Sequence, residues 1–164
     1  MKIAGHLIHP MLIVFPLGLL TTAVVFDLIG LVWGQDMWYG VAYWMIVAGI
    51  VGGLLAAVFG VLDYVGLPRN TRARAVGLYH GVGNVVVMVL FIASWLLRRP
   101  DPLHPGTGAL LLSFVGLGLA LVTGWLGGEL VQRLGVGVDE GANLNAPSSL
   151  ATSDAKAPGR RRAA

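Results

Sequence analysis

The chain has 164 residues, of which 56% are hydrophobic and only 12% are charged, with 24 glycines and no cysteine. Soluble domains carry about one quarter charged residues, so the composition excludes an ordinary soluble domain and predicts one compact membrane domain. The lack of cysteine excludes disulfides, thiolate metal sites, cysteine nucleophiles and c-type haem attachment.

Four apolar stretches each reach the roughly 20 residues that a membrane-spanning helix needs. Because backbone polar groups in lipid must be satisfied within the segment, all four are predicted to be helices. We place them at about 10–33, 37–63, 76–98 and 106–133. The short connections predict an all-α, up-down-up-down four-helix bundle over residues 1–138. Pro16 predicts a kink in the first helix, since its ring removes the hydrogen bond to the Leu12 carbonyl.

After Val138 the composition changes to Gly, Ala, Ser, Asn and Pro, with three consecutive arginines near the end, which predicts a disordered tail over 139–164. With four spans, both termini and the second loop share one side, and that side holds 9 of the 11 basic residues. The positive-inside bias therefore predicts that both termini are cytoplasmic. These basic residues favour anionic lipid as the partner, so their charge is explained without a nucleic-acid partner.

Small residues recur at spacings of three and four in the second and fourth helices, where close backbone approach would hold a membrane bundle together. They are Gly49, Gly53, Ala56, Ala57 and Gly60, and then Gly116, Ala120, Thr123, Gly124 and Gly127. Helix packing is the plainer interpretation. The alternative is that the flat glycine faces make room for a planar cofactor.

Polar side chains from all four helices are expected at one membrane level, near the cytoplasmic face. They are His6, His9, Asp63, His80 and Glu129. Asn84 lies one turn deeper than His80 on the same helix face, so it joins the predicted cofactor-binding residues. This convergence is the strongest functional signal in the sequence.

Two forms of a cofactor site fit these residues. A b-type haem needs two imidazoles from facing helices and basic groups for its propionates, which predicts His9 and His80 as axial ligands. His6 is the substitute or supporting imidazole, and Arg72 or Arg74 would contact the propionates.

The second form is a non-haem metal ion. Here His6, His9 and His80, with Asp63 or Glu129, would surround iron, copper or zinc. The competing interpretation of both carboxylates is ion pairing, because carboxylates at helix C-termini oppose the helix dipole. The nearby cations are Arg69, Arg72, Arg74 and Arg133.

Asp27 is an ionisable residue within the first span, and such residues are commonly functional. One hypothesis makes it a proton-relay carboxylate, in a small transporter that also uses His80 and Glu129. The other gives it a structural bond to His104 or to a loop amide. The sequence shows no inverted repeat beyond two His-Pro helix starts, which disfavours transport.

Three ordered motifs carry a family resemblance that covers about residues 5–138. They are GHLIHPMLIVFPLGLL with the Asp27 that follows it, the arginine loop before LYHGVGN, and GWLGGELVQRLGVGV. The chain resembles the bacterial membrane proteins grouped as domain of unknown function 2231. That resemblance implies a four-span inner-membrane protein, and the Rieske iron-sulfur domain that sometimes accompanies this family implies a link to electron transfer. It also implies importance for His6, His9, Pro10, Pro16, Asp27, His80, Asn84, Gly127, Gly128 and Glu129.

Three functions therefore stand after the sequence analysis. The first is a haem b or metal-binding protein of electron transfer, working with a membrane redox partner or as a homo-oligomer. The second is a non-catalytic scaffold or subunit of a membrane complex. The third is a small transporter or proton-relay protein. Enzymatic catalysis by a nucleophile has no support, since Ser94 and Ser113 lie in spans without a nearby base.

Overall fold

A computed structural model describes residues 2–151 of the chain. The helices are α1 (Ile8–Leu12), α2 (Val14–Trp33), α3 (Met37–Val65), α4 (Arg72–Arg98) and α5 (Thr107–Gln132). Two short strands, β1 (Lys2–Ile3) and β2 (His6–Leu7), form an antiparallel hairpin before α1. The predicted all-α four-helix bundle is confirmed, with α1 and α2 together making the first of four helices long and apolar enough to cross a membrane.

The helix boundaries follow local sequence signals. α1 and α2 are interrupted at Ile13, as expected when the ring of Pro16 blocks the Leu12 carbonyl. α4 begins at Arg72, one turn before the predicted start at 76, because Thr71 caps it. The Thr71 hydroxyl accepts a hydrogen bond from the backbone N–H of Arg74 at 3.2 Å, and such a cap stabilises a helix start.

The core is apolar and narrow, as expected for helices that meet through small residues. It is formed by Leu20, Ala23, Val24, Ala42, Ile46, Ile50, Val87 and Phe91. The outward faces carry large exposed apolar side chains, among them Trp44 and Trp125. Such faces need a hydrocarbon solvent, so the lipid bilayer is the environment that this surface fits.

Glycines set the distances within each pair of neighbouring helices. A Cβ atom on Gly49 of α3 would lie 2.6 Å from Leu20 Cδ2 of α2. In the same way, a Cβ on Gly116 of α5 would lie 2.9 Å from Phe91 Cε2 of α4. At Gly49 and Gly116 the small residues therefore serve close packing, the first of the two interpretations offered for the stripes.

These contacts show that the bundle consists of two similar halves. We call α1, α2 and α3 the first half, and α4 and α5 the second half. Leu20 and Phe91 are 71 positions apart, and the glycines that they contact, Gly49 and Gly116, are 67 positions apart. Corresponding helices of the halves run in the same direction, which is the arrangement of a parallel repeat.

The segment after α5 returns to the N-terminal hairpin. A Cβ on Gly137 would lie 2.5 Å from Leu7 Cδ1, and one on Gly5 would lie 2.8 Å from Ser149 Cβ. Residues 139–151 contain neither helix nor strand, and most are exposed. The rest of the predicted disordered tail, 152–164, lies outside the described residues.

Candidate functional site

Two imidazole rings meet at the end of the bundle where α1 and α4 begin, which we call the histidine end. The ring centroids of His9 and His80 are 6.5 Å apart, and the ring planes are nearly perpendicular at 86°. Both side chains are half-buried. The structure therefore brings together the two residues that the sequence predicted as an axial pair.

Backbone carbonyls orient both rings in the same way. His9 Nδ1 lies 2.9 Å from the Ala56 carbonyl oxygen, and His80 Nδ1 lies 2.9 Å from the Thr123 carbonyl oxygen. Because a carbonyl can only accept, Nδ1 of each ring carries the proton and donates it. In this tautomer the lone pair of each ring lies at Nε2. Metal-binding histidines are commonly held by such a bond from the other ring nitrogen.

Glycine packing places each ring against its neighbouring helix. A Cβ on Gly60 would lie 3.0 Å from His9 Cε1, and a Cβ on Gly127 would lie 3.1 Å from His80 Cε1. Like the core contacts, these two histidines are 71 positions apart and these two glycines 67 positions apart. The repeat therefore extends to the candidate site, where each half contributes one imidazole.

Asn84 gives the two rings different hydrogen-bonding environments. Its Nδ2 donates to the His80 carbonyl at 2.9 Å and lies 3.2 Å from His80 Nε2, while its Oδ1 accepts from the Thr123 hydroxyl at 3.0 Å. The residues at the corresponding positions of the first half are Ile13 and Ala56, which carry no polar side chain. His80 is thus held by a polar network that His9 lacks.

The other predicted ligands have different contacts. His6 is exposed, and its Nδ1 lies 3.1 Å from the Ala4 carbonyl oxygen. Arg72 Nη2 lies 2.6 Å from Glu129 Oε1, so this carboxylate forms the expected ion pair. Arg74 donates to the Leu67 carbonyl at 2.8 Å. The structure therefore does not bring His6 to the histidine pair, and the two arginines already have protein partners.

Asp63 lies in the last turn of α3 rather than at its final residue. Within residues 2–151, no group of three or more histidine, aspartate and glutamate side chains lies close enough to hold a metal ion. The candidate site is therefore the pair of imidazoles, without the wider ligand set of His6, Asp63 and Glu129.

The prediction of a structural partner for Asp27 was wrong. Asp27 is paired with neither His104 nor a loop amide but with Arg98, whose Nη1 and Nη2 each lie 2.7 Å from a carboxylate oxygen. Both side chains are fully buried. Arg98 is the last residue of α4, and its side chain is buried within the bundle.

Two serines complete this ion pair. Arg98 Nε donates to Ser94 Oγ at 3.2 Å, and Arg98 Nη2 donates to Ser113 Oγ at 3.1 Å. Ser94 in turn donates to the Ala109 carbonyl at 2.7 Å. A buried ion pair is tolerated when its remaining donors and acceptors are satisfied in this way. The serines thus take part in a structural network, which the sequence did not predict.

The Asp27–Arg98 pair follows a spacing in the sequence that becomes recognisable only once the structural repeat is known. Asp27 follows His9 by 18 positions, and Arg98 follows His80 by 18 positions. The repeat therefore places two opposite charges at one end of the bundle and two imidazoles at the other. Sequence comparison of the halves misses it because the corresponding residues differ in chemistry.

At the opposite end of the bundle, His104 lies between two aspartates of the loops. His104 Nδ1 is 2.9 Å from Asp101 Oδ2, and His104 Nε2 is 3.2 Å from Asp36 Oδ2. The hydrogen bond to Asp101, helped by the charges of Asp101 and Asp36, raises the pKa of His104 above its ordinary value of 6.5. The attraction between charged His104 and the two aspartates is therefore present while the pH is below that raised pKa, and it is lost as the pH rises through it.

Comparison with known proteins agrees with this architecture. A family model described as "Predicted membrane protein (DUF2231)" matches residues 5–140. Searches of curated proteins and of solved structures gave no match. The family resemblance expected from the three motifs is therefore confirmed. Because the match spans most of the 164 residues, the chain belongs to the DUF2231 family of predicted membrane proteins.

Proposed function

We propose that this membrane protein binds a transition metal through His9 and His80, either as the iron of haem b or as a bare ion, and that the bound metal serves electron transfer. The observation that carries the proposal is the pairing of the two rings, one from each half, at 6.5 Å between centroids. Imidazole is a good ligand for iron, copper and zinc, and the redox-active metals among these would supply the electron-transfer chemistry.

The ring separation supports the binding of one metal by both imidazoles. Two imidazoles that bind one metal from opposite sides, at about 2.0–2.1 Å each, have centroids roughly 6.5 Å apart. The backbone bonds at both Nδ1 atoms direct the chemistry to Nε2. Fixing the tautomer and the ring orientation in advance lowers the cost of ordering the ligands when the metal arrives.

A proton relay through the bundle has less support. The carboxylate of Asp27 is engaged by Arg98 in a closed network. The core between this pair and the histidine end is apolar, with Leu20, Ile46 and Phe91 among its members. A relay needs polar groups or water at hydrogen-bonding distance along its path. The following experiment distinguishes metal binding from a scaffold function, which needs no metal.

The test is to purify the full chain in detergent and to measure its metal content and its reduced-minus-oxidised absorption spectrum. We expect stoichiometric metal, with a haem spectrum if the iron is in haem b. His9→Ala and His80→Ala are each expected to remove it, because one imidazole cannot hold the site alone. His6→Ala and His104→Ala are matched controls, since both side chains are exposed and lie away from the ring pair.

Two results would contradict the proposal. Metal that persists in both His9→Ala and His80→Ala would show that another part of the chain binds it. Protein that remains without metal after supplementation with iron, copper, zinc and haem would favour the scaffold or subunit function. Size-exclusion chromatography of each variant checks that the bundle is intact, and it also reports whether the chain forms a homo-oligomer.

We also propose that both termini are cytoplasmic in the inner membrane, so that the histidine end faces the cytoplasm. Burial of Arg98 supports this orientation, because Arg99 is then the exposed basic residue of the loop at the opposite end. A charge bias in short loops determines the orientation of spans. A reporter fused after Val138 is expected to score as cytoplasmic, and a periplasmic score would contradict the orientation.

A further inference from the structure

Asn84 connects His80 to the neighbouring helix through both ends of its amide. Its Nδ2 donates to the His80 carbonyl at 2.9 Å, and its Oδ1 accepts from the Thr123 hydroxyl of α5 at 3.0 Å. A reversed amide would place Oδ1 against the His80 carbonyl oxygen, and two acceptors cannot bond to each other. His80 Nδ1 in turn donates to the Thr123 carbonyl at 2.9 Å. These hydrogen bonds form a closed cycle between α4 and α5.

The same amide restricts the imidazole of His80. Asn84 Nδ2 lies 3.2 Å from Nε2 and 3.4 Å from Nδ1 of that ring. An atom so nearly equidistant from both ring nitrogens lies over the ring face, because a position in the ring plane would overlap Cε1. The amide therefore covers one face of the ring and does not lie along the in-plane lone pair of Nε2. Rotation of the ring would have to displace the amide.

Close packing holds Thr123 in the cycle. Its side chain is buried, and a Cβ on Gly83 of α4 would lie 2.5 Å from Thr123 Cγ2. The missing Cβ of Gly83 thus leaves room for the threonine methyl group. The hydroxyl also lies 3.1 Å from the Ala120 carbonyl, so its one proton is shared between that oxygen and Asn84 Oδ1. Removing the hydroxyl would remove the hydrogen bond that Asn84 Oδ1 accepts.

His9 has a simpler environment. It keeps the bond to the Ala56 carbonyl and the contact with Gly60, which match those of His80. The first-half positions that correspond to Asn84 and Thr123 are Ile13 and Ala56. Within residues 2–151, no side chain donates a hydrogen bond to the His9 ring or covers its face as an amide does at His80. The ring of His9 is therefore held less firmly.

From these observations we infer that Asn84 and Thr123 are positioning residues, which make His80 the fixed ligand of the pair and leave His9 as the adjustable one. The inference rests on the proposed function, within which it gives the two rings different parts. Residues that support a metal ligand commonly change metal affinity by about 10–100-fold. They fix the ring before the metal arrives, which lowers the cost of ordering it on binding.

The first measurement needs no metal. Side-chain nitrogen NMR of isotope-labelled histidine, in the full metal-free chain in detergent, reports the motion of each ring, and alanine variants of the four histidines assign the signals. We expect the ring of His80 to be more rigid than that of His9. Asn84→Leu and Thr123→Val should each make it as mobile as His9. Thr123→Ser, which keeps the hydroxyl, should preserve its rigidity, and Ile13→Val is the control in the first half.

The second measurement is metal affinity, by titration of the same proteins with Zn²⁺, Cu²⁺ and haem. Whichever of these the unchanged chain binds through its two histidines, we expect Asn84→Leu and Thr123→Val to bind it about 10–100-fold more weakly. Thr123→Ser and Ile13→Val should bind it as the unchanged chain does. Size-exclusion chromatography checks that each variant keeps an intact bundle.

The two measurements separate this inference from the function on which it rests. A His80 ring that stays rigid in both Asn84→Leu and Thr123→Val would overturn the inference. A loosened ring with unchanged affinity would also overturn it, because the network would then serve only the packing of α4 against α5. Absence of binding by the unchanged chain would overturn the metal-binding function and the ligand roles with it, even where NMR shows that the network fixes the ring.

Discussion

Asp27→Asn is expected to destabilise the protein by about 3–5 kcal/mol, the cost of leaving one member of a buried ion pair without its partner. Arg98 has no exposed surface, and two of its nitrogens lie 2.7 Å from the Asp27 carboxylate. The surrounding hydrocarbon offers no water to hydrate the guanidinium of Arg98 once the Asp27 charge is removed. The measurement is reversible unfolding in mixed micelles, followed by circular dichroism.

A double variant separates charge from packing at this position. Asp27→Leu together with Arg98→Met removes both charges, and such replacements are commonly neutral or stabilising when the side chains pack well. We therefore expect the double variant to regain most of the stability lost by either single change. Arg99→Met is the control for removing a neighbouring arginine, because Arg99 is exposed. A loss below about 1 kcal/mol for Asp27→Asn would contradict the buried ion pair.

Gly116→Ala is expected to destabilise the bundle by about 1–3 kcal/mol through overpacking. The added Cβ would lie 2.9 Å from Phe91 Cε2, and Phe91 is fully buried. Gly118→Ala, on the same helix, is the matched control. Nothing lies within 4 Å of the position of its Cβ, so this change should gain about 0.5–1 kcal/mol of helix propensity.

The same unfolding assay tests the repeat. Gly49 in the first half corresponds to Gly116, and Leu20 occupies the place of Phe91. Gly49→Ala is therefore expected to destabilise with the same sign as Gly116→Ala. Equal stability of Gly116→Ala and Gly118→Ala would contradict the close approach of α4 and α5.

The membrane architecture followed from the sequence because it depends on composition over long segments. Four apolar stretches can satisfy their backbone groups in lipid only as helices, and Pro16 interrupts the first of them wherever the neighbouring helices lie. That the rings of His9 and His80 lie close together was predictable for a similar reason. Both lie near the start of a span, and two spans that begin on the same side bring such residues to one level.

The remaining site contacts depend on which helix faces lie against each other. His6 is only three positions before His9, yet it belongs to the exposed hairpin and not to the ring pair. Glu129 contacts Arg72 instead of a metal. Depth in the membrane follows from position along the chain, but the direction of a side chain follows from the rotation of its helix. A sequence pattern with low amphipathicity does not reveal that rotation.

By itself, the sequence determined that this protein is a four-helix membrane bundle with imidazoles at one level, because hydropathy, helix length and proline act locally. Only the tertiary structure decided that Asp27 meets Arg98, 71 positions away, and that the two halves repeat each other. Those facts depend on the close approach of helices at Gly49 and Gly116, which arises from steric fit between distant residues. Such fit leaves no periodic signal along the chain, since each glycine acquires its role from the side chain that lies against it.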